Sequence, residues 1–235
     1  MNILVVHSHN ANRGDEAAVK AMVDELLIKY PGAKITISNN GFTPYPDMPE
    51  NVIQIDRFPK LESKVAQLEF FIVLLLKGKL AFTKEAREFL CALKEADVVL
   101  HAPGGPSIGD TYFKAEKLYL WRLDLIRRMR IPYIFYAPSM GPFNCASRNK
   151  LRQKVISGAE KIVLRDPISV KYVKDFLPDV EVEQALDSAL QHDIDIDINE
   201  EKYNNYPELK KFIESHEKCI GITITDLKWH PVHKT

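Results

Sequence analysis

The sequence carries no excess of charge. Its 235 residues hold 32 basic and 32 acidic side chains, for a formal net charge of zero. The broad cationic footprint of a nucleic-acid-binding domain is missing, so nucleic acid is not expected as a partner. Cysteine is scarce as well: Cys91, Cys145 and Cys219 are odd in number, far apart and without a Cys-x-x-Cys pair. That pattern argues against a disulfide framework or a structural zinc site and fits a reducing, cytoplasmic compartment. No charged-then-apolar leader stands before the first apolar run, so a cleaved signal peptide is not expected. Long apolar runs are also absent. The most apolar segment, Phe70-Phe71-Ile72-Val73-Leu74-Leu75-Leu76, is far short of the roughly 20 residues that a spanning helix needs. It reads as a helix packed in the core or in an interface. A peripheral membrane contact, helped by Lys77 and Lys79, is the other reading.

What is present is alternation. Short apolar runs near 2–7, 34–38, 52–55, 97–102, 132–138, 161–164 and 181–185 read as strands. Helical patterns fall between them, near 16–29, 62–77, 84–95, 115–129, 147–158 and 168–176. Strands alternating with helices predict an α/β fold, a Rossmann-like parallel sheet with helices on both faces. Residues 1–190 are expected to form that domain. After Asp187 the character changes: 191–217 read as an acidic linker, 193–201 within it, and a helix near 207–216. A strand over 219–225 then opens 218–235, which is expected to be the start of a truncated second α/β domain.

In an open parallel sheet, ligands bind beyond the carboxyl ends of the strands, and the candidate residues lie in the segments expected there. Asp15 stands where the first helix should be capped, and it is also placed as a carboxylate that could take a proton from, or orient, a substrate hydroxyl. The tripeptide Arg13-Gly14-Asp15 spells an adhesion motif, discarded for want of a secretion signal. His7 and His9 would share a face of the first strand. With no third ligand at a diagnostic spacing, they read as hydrogen-bonding groups at a pocket floor rather than a metal site. Gly104 and Gly105 permit close backbone approach to an anion or simply a tight turn. No Gly-Lys-Ser or Gly-Lys-Thr follows them, and Pro106 removes a donor. Ser139 has no companion base and reads as a binding or structural residue. Arg165 precedes a helix opened by Pro167 and Ser169. It suits a carboxylate or phosphate ligand, or a scaffold ion pair. Asp187 either caps the segment after its strand or faces the cleft.

In order along the chain stand Asn12-x-Gly14-Asp15-Glu16-Ala17, Gly104-Gly105-Pro106-Ser107, Ser139-Met140-Gly141-Pro142, Arg165-Asp166-Pro167-x-Ser169 and Asp187-Ser188-Ala189. This ordered set, over residues 1 to about 190, resembles the polysaccharide pyruvyl transferase family. The resemblance implies a two-domain, glycosyltransferase-B-like architecture with the active site between its halves. It also implies transfer of pyruvate from phosphoenolpyruvate, as a ketal, to paired hydroxyls of a saccharide or lipid-linked saccharide, at or near the inner face of the membrane. No cofactor or metal is implied. Carried onto this chain, Asp15 is the catalytic residue. Asn12, Gly14, Gly104, Gly105, Ser107, Ser139, Gly141, Arg165 and Asp187 bind substrate, with Arg165 on phosphoenolpyruvate. Two departures stand out: the family's second half, with its own Arg/His contacts to the donor, has no counterpart here, and Pro106 replaces a common third glycine. The alternatives are a sugar-nucleotide glycosyltransferase of the same architecture and a non-catalytic saccharide-binding or scaffolding module.

Overall fold

A computed structural model describes residues 1–10, 12–40, 43–59, 64–191 and 196–222. The chain divides into two compact units, Met1–Gln191 and His192–Thr235. In the first, β1 (Asn2–Ser8), α1 (Arg13–Lys29), β2 (Lys34–Asn39) and β3 (Val52–Asp56) lead to the paired helices α2 (Lys64–Leu75) and α3 (Lys84–Glu95). Then follow β4 (Val98–His101), β5 (Gly104–Ile108), α4 (Phe113–Arg128), β6 (Tyr133–Tyr136), β7 (Pro138–Met140) and α5 (Ala146–Ile156). The unit closes with β8 (Lys161–Leu164), α6 (Pro167–Phe176), β9 (Glu183–Gln184) and a 3-10 turn, Ser188–Gln191.

The seven strands β3-β2-β1-β4-β6-β8-β9 form one parallel sheet in that order. The expected α/β class is therefore observed, and the reason is visible in β1. Ile3, Leu4, Val5 and Val6 are all buried, alternate residues entering cores on opposite faces. A strand covered on both sides is apolar without interruption, and each such side chain contributes about 1.5–3 kcal/mol on burial. Ile3 and Val5 meet Val19, Met22 and Val23 of α1. Leu4 and Val6 belong to the core built by α2 to α6, with Phe70, Phe89, Leu120, Leu123, Val155 and Val173. The chain reverses direction across the sheet between β1 and β4, the switch point where such sheets open a ligand crevice.

Several expectations are corrected. α1 begins at Arg13, and its cap is Asn12, whose side chain accepts from Gly14 N–H at 2.8 Å. Asp15 lies in the first turn and is not the cap. The segment 132–138 is two strands, because Ala137 adopts φ 52° and ends β6. The glycine segment is not only a loop: β5 pairs in parallel with β7 as a separate two-stranded sheet. In the second unit, the acidic stretch read as a connector includes a helix, α7 (Ile196–Asn204), followed by α8 (Pro207–Glu214). Residues 219–222 carry no strand, and Ile220 and Ile222 are exposed. Residues 223–225 of that expected strand, like 62–63 of the second helix, lie outside the described residues.

The apolar run 70–76 is divided between inside and outside. Phe70 and Val73 are buried, whereas Phe71 and Leu75 are exposed. Glu69 is buried beside them and accepts from Phe82 N–H at 2.6 Å, Thr83 N–H at 2.7 Å and Thr83 Oγ1 at 2.8 Å. Among the described residues, no helix is long and apolar enough to cross a membrane.

Candidate active site

Once Asn12 takes the cap, the Asp15 carboxylate is free to turn toward the segment after β4. A Cβ on Gly104, where φ is 140°, would stand 2.9 Å from Asp15 Oδ1, so that position is closed to any larger residue. Burial raises the Asp15 pKa, with Asp187 adding to it; Arg165 and the Gly105 backbone N–H oppose the shift. Tyr112, beside Gly105, feels both charges: burial and Asp15 raise its pKa, and Arg165 lowers it. Asp15, Gly104, Gly105, Arg165 and Asp187 are thus neighbours, although they come from four separate segments.

Arg165 follows β8 immediately. Its Nη1 donates to Asp187 Oδ2 at 2.6 Å and its Nε to Ser139 Oγ at 2.9 Å. The scaffold pair of the sequence reading therefore exists, and it leaves Nη2 without a hydrogen bond among the described residues. Asp187 Oδ1 also accepts from Ala189 N–H at 3.0 Å, so the carboxylate caps the 3-10 turn while gripping the arginine. Ser139 passes its own proton to Asp166 Oδ2 at 2.8 Å. Asp166, the cap of α6, takes Ser169 N–H at 2.7 Å and Ser169 Oγ at 2.8 Å. Burial alone would raise the Asp166 pKa, but the Ser169, Ser139 and Arg165 interactions outweigh it and hold the carboxyl low. Ser169 Oγ in turn accepts from Met140 N–H at 2.9 Å, tying β7 to α6.

Asn12 and Gly14 are occupied with each other in the α1 cap. Gly141 has φ 89°, donates N–H to Ile108 O at 2.8 Å and packs so closely that a Cβ would meet Tyr172 at 2.7 Å. Its requirement for glycine is thus explained by packing. β5 is anchored at its far end by a buried ionic knot. Glu116 Oε1 accepts from Gly109 N–H at 2.8 Å and Arg152 Nε at 2.7 Å. Glu116 Oε2 accepts from Arg148 Nη1 at 2.9 Å and Arg152 Nη2 at 2.9 Å. Arg152 Nη2 also reaches Asp110 Oδ1 at 2.6 Å.

Ser107 leads to a group that sequence reasoning passed over. Its Oγ lies 2.8 Å from His101 Nε2, and His101 Nδ1 lies 2.8 Å from the Ala102 carbonyl. A carbonyl only accepts, so Nδ1 carries the proton and Nε2 takes the Ser107 hydroxyl proton. Burial drives the His101 pKa down to about 4, so the ring is neutral at pH 7. His7 stacks edge-on to His101, with centroids 4.6 Å apart, and 4.5 Å from Tyr119. Its φ of 65° breaks the strand geometry that would have put it on one face with His9. The two still converge, since His9 Nε2 is 2.8 Å from Tyr119 Oη. Burial, followed by His101, Arg122 and His9, pushes the His7 pKa well down. Arg122 stands behind them, fully buried, donating to Phe58 O at 2.6 Å and to Asn40 Oδ1 at 3.2 and 3.3 Å. One signal for Arg122 was available: it lies three residues after Tyr119 and four before Ile126, on the buried stripe of α4. Among the described residues, no three His, Cys, Asp or Glu side chains are grouped to hold a metal ion.

The site thus offers a carboxylate with a raised pKa, a partly engaged guanidinium and small-residue backbone at the sheet's switch point. Comparison with individually curated proteins gave no significant match. The family model described as polysaccharide pyruvyl transferase matches residues 12–232, well beyond the motif-bearing first 190 residues. With that match spanning nearly the whole chain, the protein belongs to the polysaccharide pyruvyl transferase family, enzymes that join a pyruvyl group from a donor to a saccharide acceptor.

Proposed function

We propose that the chain moves pyruvate from phosphoenolpyruvate onto two hydroxyls of a sugar, closing a ketal, in the cytoplasmic synthesis of a bacterial surface polysaccharide or cell-wall glycan. The acceptor is a free or lipid-linked saccharide. The observation that carries this reading is the Asp15–Arg165 juxtaposition: a carboxylate whose pKa is raised by burial lies within the field of a guanidinium held by Asp187 and Ser139.

The chemistry then needs three events. The methylene carbon of phosphoenolpyruvate takes a proton, which makes C2 electron-poor. One sugar hydroxyl adds to C2 and gives up its proton, for which Asp15 serves as the base. The second hydroxyl displaces inorganic phosphate from C2, loses its proton and closes the ring. Arg165 binds the donor's carboxylate or phosphate, with Nη2 available without displacing Asp187, and its fixed charge favours the departing phosphate. Asn12 and Gly14 shape the entry to α1. Gly104 and Gly105 allow the donor to approach the backbone, and Ser107, Ser139 and Gly141 fix the opposite wall.

The test is to incubate the chain with phosphoenolpyruvate and a saccharide acceptor, with nucleotide sugars as alternative donors, and follow pyruvyl ketal and phosphate. Asp15→Asn is expected to lower turnover about 100-fold or more while leaving donor affinity nearly unchanged. Arg165→Ala is expected to weaken calorimetric phosphoenolpyruvate binding about ten-fold or more. Unchanged affinity in Arg165→Ala would remove Arg165 from the donor site, and turnover of a nucleotide sugar instead would replace this reading.

A further inference from the structure

The α2 helix shows a second apolar face, opposite the one that enters the core. Val65, Leu68, Phe71 and Leu75 are 73%, 60%, 61% and 65% exposed. At 100° per residue they fall within an arc of about 120°, directly away from buried Glu69, Phe70 and Val73. Leu80 and Phe82, in the connection to α3, add exposed apolar surface. Lysines stand at the margins of this patch, and of these Lys84 is paired with Glu88 at 3.6 Å. Among the described residues from 64 to 84, the exposed charged side chains are Lys64, Lys77, Lys79 and Lys84. The single acid there, Glu69, is turned inward and consumed by the Phe82 and Thr83 N–H groups and the Thr83 hydroxyl. The patch is also stiff. Phe70 packs on Phe58 with ring centroids 5.7 Å apart and stacks on Trp121 at 5.9 Å. The Phe58 carbonyl is the one that holds Arg122 at the site wall.

We propose that this face docks the protein on an anionic lipid bilayer, with α2 lying in the plane of the interface. A helix held to the core by one apolar face, with a second apolar face exposed and lysines at its margins, can lay that face in the headgroup region and meet acidic lipid. A second copy of this chain fits less well, because a two-fold contact would set the lysines of one copy against those of the other. The charges that disfavour self-association are those that acidic headgroups neutralise.

The experiment is flotation of the full chain with vesicles of phosphatidylcholine alone and of phosphatidylcholine containing phosphatidylglycerol, at low and high salt, without donor or acceptor. Pyruvyl transfer does not enter the measurement, so the two proposals fail separately. The wild-type chain is expected to float with anionic vesicles, less so at high salt, and to stay behind with neutral ones. Replacing Phe71 and Leu75 by Ser should weaken binding about ten-fold or more. Lys77→Gln and Lys79→Gln should each weaken it about five-fold. All four side chains are exposed, so circular dichroism and melting should be unchanged; the lysine variants serve if the double Ser variant does not fold. Equal flotation with both vesicle types, or lysine variants that float like wild type, would overturn the proposal. So would a wild-type dimer in sedimentation that the Phe71 and Leu75 substitutions dissociate.

Discussion

Arg152 and Arg122 are both fully buried, yet their surroundings are opposite. Arg152 sits in a knot of opposite charge, with Glu116 on two of its nitrogens and Asp110 on one. Burial opposes its charge, but the bonds to Glu116 and Asp110 outweigh burial and raise its pKa. Among the described residues Arg122 hydrogen-bonds only to neutral oxygens, from Phe58 and Asn40, and burial lowers its pKa to about 10. Its charge is not cancelled locally, so it acts outward and helps to depress the pKa of His7, His9 and His101. One arginine fixes the far end of β5; the other adds to burial, the main cause, in holding down the pKa values of the histidines behind the crevice. A buried cation becomes structural or electrostatic according to whether a carboxylate accompanies it.

The comparison breaks most sharply at Glu116. Glu116→Ala should destabilise the fold by about 3–5 kcal/mol in urea titrations, because it takes from buried Arg152 its fully buried carboxylate partner, leaving Asp110 alone, and leaves Gly109 N–H unpaired. Acid should attack the other region. His101 has its pKa moved from 6.5 to about 4, so the folded ring resists a proton that the unfolded chain accepts. The unfolded state then binds more protons, and stability present above about pH 6.5 is lost as pH falls toward 4, by on the order of 3 kcal/mol for this one group. A stability profile from pH 7 to 4 checks it, and His101→Gln should flatten the slope. Arg122→Met is expected to cost about 1–2 kcal/mol, less than Glu116→Ala, because lost bonds are partly offset by removing a buried charge. The same variant should narrow the acid-sensitive window from its lower edge and reduce the stability lost across it, since one cause of the low histidine pKa values is gone. The smallest effect has the opposite sign. The raised pKa of Asp15 means that its folded-state contribution is fully present at acid pH and is lost as pH rises through that value. Asp15→Asn should therefore melt at or slightly above the wild-type temperature near pH 8, with the difference vanishing in acid.

Much of the fold was legible because burial on both faces leaves strands such as β1 uninterrupted, and because Pro167 and Ser169 mark the start of α6. Arg165 and Asp187 could be nominated for the same reason, each standing just past a strand. Their mutual bond could not, since 22 residues separate them and only the β8–β9 register joins the two ends. The cap of α1 was misplaced: the sequence reading took Asp15, whereas Asn12, three positions earlier and also a capping type, has the extended backbone that a cap needs. β5 was unreadable because Gly104-Gly105-Pro106 has little intrinsic strand preference, and its strand character comes from β7. His101 was hidden at the end of an apolar strand, where a neutral, fully bonded imidazole leaves no mark in composition.

The division of labour at the start of α1 has a practical outcome. Because Asn12 holds the helix end, the carboxylate three residues later is spared any duty in keeping that helix wound. The proposed base can be neutralised without unravelling its support, so Asp15→Asn is expected to leave α1 intact.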